Sequence, residues 1–127
     1  MEMISSKNAP KAIGPYSQAI EVKPFIFTSG QIPLTPNGEL IASGIREQTE
    51  QVLKNIQGIL AEKGLTLQDV VKVTVFMQDL NEFTEMNEVY AQFFQDHKPA
   101  RSTVEVARLP KDVKIEIECI AAMRCNG

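Results

Sequence analysis

The sequence has 127 residues, 43% of them hydrophobic and 23% charged, the size and balance of one ordinary globular domain over 1–127 that needs no metal or disulfide staple to fold. Its 13 basic and 16 acidic residues leave a net charge of −3 with no Lys/Arg run, which argues against a nucleic-acid partner, since such a partner calls for surplus cations to displace phosphate counterions. One histidine and two cysteines at no metal-ligand spacing exclude the usual zinc patterns, and no apolar run is long enough to span a bilayer.

Residues 1–4 can pair as a short first strand. Pro10, Gly14 and Pro15 then break regular structure and leave Tyr16 on a loop. Residues 18–22 and 25–31 read as a hairpin turning at Lys23-Pro24, with Gly30 marking a bulge or a close backbone approach. The run Thr35-Pro36-Asn37-Gly38 signals a turn. A helix is expected over 44–63, with Ile45, Val52, Leu53, Ile56 and Leu60 at helical spacing, Ser43 as N-cap and Gly64 as stop.

Residues 70–78 form the strongest strand signal, with Val71, Val73, Val75 and Met77 on one face and Val70, Lys72, Thr74 and Phe76 on the other. A second helix starts at Asn81 and turns Phe83, Met86, Tyr90, Phe93 and Phe94 inward. Residues 102–107 and 114–123 close the chain as strands, and Cys119 is expected to be a small buried residue of the last one. The order is β-β-β-α-β-α-β-β. Two helices cover only one face of such a sheet, so apolar residues on the other face predict a homo-oligomer. Unpaired Cys119 and Cys125, the latter a free thiol of the tail, together with the absence of a signal peptide predict a cytoplasmic setting.

The chain has no phosphate-cradling glycine loop and no GxSxG elbow. Its single histidine, His97, is expected as a solvated residue at a helix end. Arg101 stands out because a guanidinium offers a planar fork of donors that matches a carboxylate, although a surface ion pair is the common use of arginine. Glu116 and Glu118 share a sheet face. That face is either solvated or an interface, and in an interface a carboxylate must be paired or used, with a raised pKa suited to a general base. Tyr16 serves either loop anchoring or binding, and Asn87 either satisfies nearby backbone groups or lines a pocket.

Five segments together are more specific than any of these. Gly14-Pro15-Tyr16-Ser17-Gln18-Ala19, Thr28-Ser29-Gly30-Gln31-Ile32-Pro33, Gln48-Thr49 with Asn55-Ile56, Pro99-Ala100-Arg101-Ser102, and the run from Ala107 to Glu118 resemble, in order, the RidA/YjgF family of reactive-intermediate deaminases. The resemblance implies a chorismate-mutase-like α+β fold, a six-stranded mixed sheet with two helices packed on one face. It implies a homotrimer with a site in each inter-subunit cleft, and no metal or organic cofactor. The implied reaction is hydrolysis of 2-aminoacrylate and related enamines or imines to 2-oxo acids and ammonia. On that resemblance Arg101 binds the substrate carboxylate and Glu116 positions water, while Tyr16, Ser29, Gly30, Asn87 and Thr103 shape the pocket. Thr103 stands where many close members carry Cys, and the stretch before Pro99 looks shortened. The competing expectations are a non-catalytic sensor of 2-oxo acids in the same clefts and an RNA-cleaving translation inhibitor, the latter disfavoured by the acidic balance.

Overall fold

The computed structural model describes residues 1–124, so Cys125, expected as a free thiol of the tail, lies outside the described residues. The elements run β1 (Glu2–Ile4), β2 (Ala19–Val22), β3 (Phe25–Thr28), α1 (Ile45–Ala61), β4 (Val70–Met77), α2 (Phe83–Phe94), β5 (Ala100–Glu105) and β6 (Ile115–Ala122). They build one six-stranded sheet in the order β1-β2-β3-β6-β4-β5. The β4–β5 pair is parallel and the others are antiparallel. The parallel pair needs a crossover, and α2 supplies it.

Both helices pack on one face of the sheet. From α1, Ile45, Val52, Leu53, Ile56, Ile59 and Leu60 are buried in a single stripe. They meet Met86, Tyr90 and Phe94 of α2 and the alternating Val73, Val75, Met77, Ile115, Ile117 and Ala121 of the central strands. Each such aliphatic side chain withdrawn from water contributes about 1.5–3 kcal/mol. Cys119 is buried in the same layer.

The face without helices keeps the apolar residues that the alternation placed there. Phe25, Phe27, Val22 and Val104 are each at least 40% exposed, and Phe76 and Ile120 are half-buried beside them. Paired residues share a face. The pairs Ile20–Phe27 and Phe27–Ile120 therefore make one apolar row across β2, β3 and β6, and Phe76–Val104 a second across β4 and β5, with Lys72, Glu116 and Glu118 between them.

Five details differ from the sequence expectations. Val71 is exposed and Val70 buried in its place, because the register against β6 shifts between Val70 and Lys72 and the irregularity turns one side chain over. The cap of α1 is Gly44, with no side-chain cap bond. Ser43 sits one residue too early, and Gln48 Nε2 instead donates to the carbonyls of Ile41 and Ser43. The strand expected from Ser102 begins at Ala100 and so contains Arg101, and the strand expected to reach Gln31 ends at Thr28. His97 is half-buried, its Nε2 2.6 Å from the Val70 carbonyl, so it pins the loop after α2 to the start of β4.

Buried amides set the loops that flank the sheet. Gln18 accepts from Ser6 N and donates to the carbonyls of Ser6 and Pro10, which folds the Pro/Gly segment back onto β2. Asn55 donates to the carbonyls of Ile32 and Leu34. Gln48 Oε1 accepts from Lys114 N at 2.8 Å. Gly58 lets the Asn8 backbone lie directly on α1, since a Cβ there would stand 2.7 Å from the Asn8 carbonyl oxygen. Gly58→Ala is expected to destabilise the fold by about 1–3 kcal/mol through overpacking, read as a lower urea midpoint at unchanged m-value.

Candidate functional site

The sequence-predicted residues fall into two groups on opposite faces of the sheet. Arg101, Asn87 and Thr103 lie on the helix-covered side. Glu116, with Gly30, Ser29 and Tyr16 around it, belongs to a cleft reached from the other side.

Arg101 is aimed by register. It pairs with Val73, whose side chain is fully buried under the helices, so Arg101 projects toward α2. There its Nη1 donates to Asn87 Oδ1 at 2.7 Å. The guanidinium carbon lies 4.6 Å from the Tyr90 ring centroid and 5.6 Å from that of Phe83. Among the described residues Arg101 makes no ion pair. A half-buried cation held only by an amide oxygen and two rings keeps charge and donors for an anion. It opens on a cleft of about 420 Å³ that also includes Asn87, Tyr90, Phe94 and His97, a volume that suits a small ligand.

Asn87 therefore orients the guanidinium rather than backbone groups. Two hydroxyls on this side, Tyr90 Oη and Thr103 Oγ1, are buried without a hydrogen-bond partner among the described residues. Burial pushes the Tyr90 phenol above its ordinary pKa, and the Arg101 charge pulls it partly back. Tyr90, expected to face inward as core, is also the surface on which Arg101 rests. Its position on the same helix face as Asn87 was the available signal.

Glu116 occupies the other face because Ile115 and Ile117, its neighbours along β6, point into the core. It is half-buried. Burial raises its pKa, and the Glu118 charge raises it further. Gly30 lies against it: a Cβ on Gly30 would stand 2.1 Å from Glu116 Oε2 and 2.8 Å from Cδ. The glycine foreseen as a bulge or a close approach is the latter, made to a side chain. Gln31 next to it pairs with Ile117, and so the segment is tied to β6.

Ser29 Oγ donates to the Ser17 carbonyl at 2.6 Å and Ser29 N to that of Gln18 at 2.9 Å, bonds that hold the Tyr16 loop over β3. The ring of Tyr16 is 54% exposed. Tyr16, Ser29, Gly30, Ile32, Pro110 and Glu116 line a cleft of about 360 Å³. Gly30→Ala is expected to turn the carboxylate aside while the fold holds, because the obstructing atoms are the free end of a flexible side chain. The expected readout is a loss of about tenfold or more in any rate that depends on this carboxylate, as for misplaced reacting groups, with a melting temperature close to wild type.

Cys119 is no nucleophile for either cleft. Burial pushes its thiol up to about 12, and its backbone N–H donates to Thr28 Oγ1 at 3.0 Å. Among the described residues no three His, Cys, Asp or Glu side chains are grouped to hold a metal ion, and no helix is long and apolar enough to cross a membrane.

A mixed sheet carrying two helices on one face, an arginine without an anionic partner among the described residues and a glutamate packed on a Ser-Gly turn together define an α+β protein with two clefts of a size that suits small ligands. Residues 6–123 match the family model described as Endoribonuclease L-PSP, and the chain belongs to this YjgF/RidA family. A RutC family protein of Pyrococcus abyssi is 59% identical over 121 residues, covering 94% of this chain and 95% of its own. The 2-iminobutanoate/2-iminopropanoate deaminase of Salmonella typhimurium is 50% identical over 124 residues, covering 95% and 97%. Among solved structures, E. coli TdcF with bound serine superposes at a TM-score of 0.93 with 47% identity over 98% of this chain and 100% of that one. Yeast Mmf1 gives 0.94 with 46% identity over 97% and 98%. The six-stranded α+β fold is that of these relatives.

Proposed function

We propose that this protein, a single domain over 1–127, hydrolyses 2-aminoacrylate and related enamines or imines to 2-oxo acids and ammonia, in clefts shared between the subunits of a cytoplasmic homotrimer. The observation that carries this is the separation of Arg101 and Glu116 onto opposite faces of one sheet. One chain presents them on opposite faces, whereas two copies can offer both to one small substrate where the β5 edge of one, carrying Arg101, meets the open face of the other, carrying Glu116. The phenylalanines of that face are what such contact would bury. The deaminases among the relatives lend the reaction class.

Chemically, the enamine takes a proton at its terminal carbon and becomes the imine, whose carbon is electrophilic once nitrogen is protonated. Arg101 holds the carboxylate and fixes which face of that carbon is presented. Water adds to the carbon while Glu116 accepts its proton. The resulting carbinolamine loses its nitrogen as ammonia, leaving the 2-oxo acid. One water is consumed and nothing is oxidised. Tyr16, Ser29, Gly30, Asn87 and Thr103 shape the pocket around these two groups.

The test couples a serine dehydratase, as a source of 2-aminoacrylate, to a pyruvate readout. Wild type is expected to accelerate release, with Arg101→Ala inactive and Glu116→Ala slowed. No acceleration by an assembled wild type would overturn the proposal for this substrate. Binding of pyruvate with no rate effect, unaltered in Glu116→Ala, would identify a sensor instead. Binding to RNA that weakens with salt would point to the nuclease that the family model's description names.

A further inference from the structure

Arg101 is held unusually for a residue assigned to anion binding. Its partners are neutral, and the nearest ring belongs to Tyr90, at 4.6 Å. Tyr90 is only 8% exposed, and its own ring stacks on Phe94 with centroids 4.4 Å apart. The floor under the guanidinium is thus a fixed pair of rings on α2. Asn87, on the same helix, takes one N–H. A free arginine side chain spends its rotamer freedom when it grips a ligand, whereas one already laid on a ring has less to lose.

We propose that Tyr90 is a positioning residue, its ring face the platform that presents the remaining N–H donors of Arg101 to the substrate carboxylate. The proposal rests on the deaminase reading for the identity of the anion, but the placement of Arg101 stands apart from it. The attraction is between the guanidinium charge and the negative face of the ring. The phenol hydroxyl is buried and makes no hydrogen bond of good geometry among the described residues, and the guanidinium near it acts on it mainly by lowering its pKa. Removing an unpaired hydroxyl leaves no orphaned group behind. The ring and the hydroxyl therefore give opposite expectations for two substitutions at one position.

The experiment compares Tyr90→Phe and Tyr90→Leu with wild type, all as the assembled protein. It measures KM and kcat for 2-aminoacrylate hydrolysis, pyruvate Kd by calorimetry, and the Arg101 Nε–H resonance by NMR without ligand. Tyr90→Leu is expected to raise KM and Kd by about 2- to 30-fold, the span of cation–π energies, with a smaller change in kcat and a broadened or shifted Nε–H signal. Tyr90→Phe keeps the ring and is expected to lose far less than Tyr90→Leu in all three. If Tyr90→Leu fails to fold, phenylalanines of increasing fluorination at position 90 keep the shape and drain the ring face, and Kd should rise stepwise with fluorine count.

Unchanged Kd and an unchanged Arg101 signal in a folded Leu variant, or no trend with fluorination, would overturn the proposal. Equal losses in the Phe and Leu variants would overturn it too, by assigning the effect to the hydroxyl. If wild type neither hydrolyses the enamine nor binds pyruvate, the deaminase reading fails. The NMR arm then still decides whether Tyr90 holds Arg101.

Discussion

Arg101→Gln should reduce kcat/KM for enamine hydrolysis by about two to three orders of magnitude while leaving the melting temperature almost unmoved. The activity loss follows from removing a charged, forked donor from a partly desolvated carboxylate, an interaction usually valued at about 2–5 kcal/mol when one partner is truncated. The unchanged stability follows from the partners of Arg101. An arginine in a buried ion pair leaves an uncompensated carboxylate behind when it is removed, and the fold suffers. Here the guanidinium touches an amide oxygen and two rings, and the described residues place no carboxylate against it. Gln at 101 leaves Asn87 a neutral neighbour and relieves the fold of a half-desolvated charge. Arg101→Lys should recover only part of the rate, because one ammonium cannot reproduce two parallel donors. Steady-state kinetics beside thermal melts settle the matter. A variant that loses activity only because it melts much lower would contradict the placement of Arg101 as an anion receptor.

The strands and helices were largely legible because their alternation and helical spacing are strong, as in Ile115, Ile117, Cys119 and Ala121 of β6 or Val52, Ile56 and Leu60 of α1. The side of the sheet that each site residue occupies was not. Arg101 could be assigned a face only once β5 was known to lie parallel to β4 at the edge with Arg101 opposite Val73. Strand order is a long-range property that no local spacing encodes. The irregularity at Val70–Lys72 was hidden for a related reason: Val70 and Val71 are equally good strand residues, and only the partner strand decides which one turns inward.

The polar staples were hidden differently. Gln18, Gln48 and Asn55 carry no local signal of their partners, yet each is buried and bonded to backbone groups of loops outside its own element. The close approach at Gly30 was foreseen, but its partner Glu116 is distant in sequence. The family resemblance named Arg101 and Glu116 as partners in one chemistry. The structure adds that they lie on opposite faces of one sheet.

The pH dependence of the reaction should report Glu116 directly. A base must be ionised to accept a proton from water, so kcat/KM is expected to fall as pH drops through the Glu116 pKa. Burial, and secondarily the charge of Glu118, hold that pKa above the ordinary value of 4.5. The acid limb should therefore lie above pH 4.5.

Glu118→Gln removes the second cause and should shift the limb to lower pH. Added salt should do the same in wild type, with little effect in that variant. Glu116→Gln should abolish the limb along with most of the rate. Stability runs the opposite way. A carboxyl whose folded pKa is raised favours the folded state below its unfolded pKa, and that contribution is lost as pH rises through the folded value. Wild type should thus lose some stability over the same window in which it gains activity, and Glu116→Gln should show neither change. Rate profiles and urea midpoints measured across about pH 4–8, the span that brackets carboxylate and imidazole titration, test both signs at once. An acid limb at an unchanged midpoint in Glu116→Gln would assign the proton acceptor to another group.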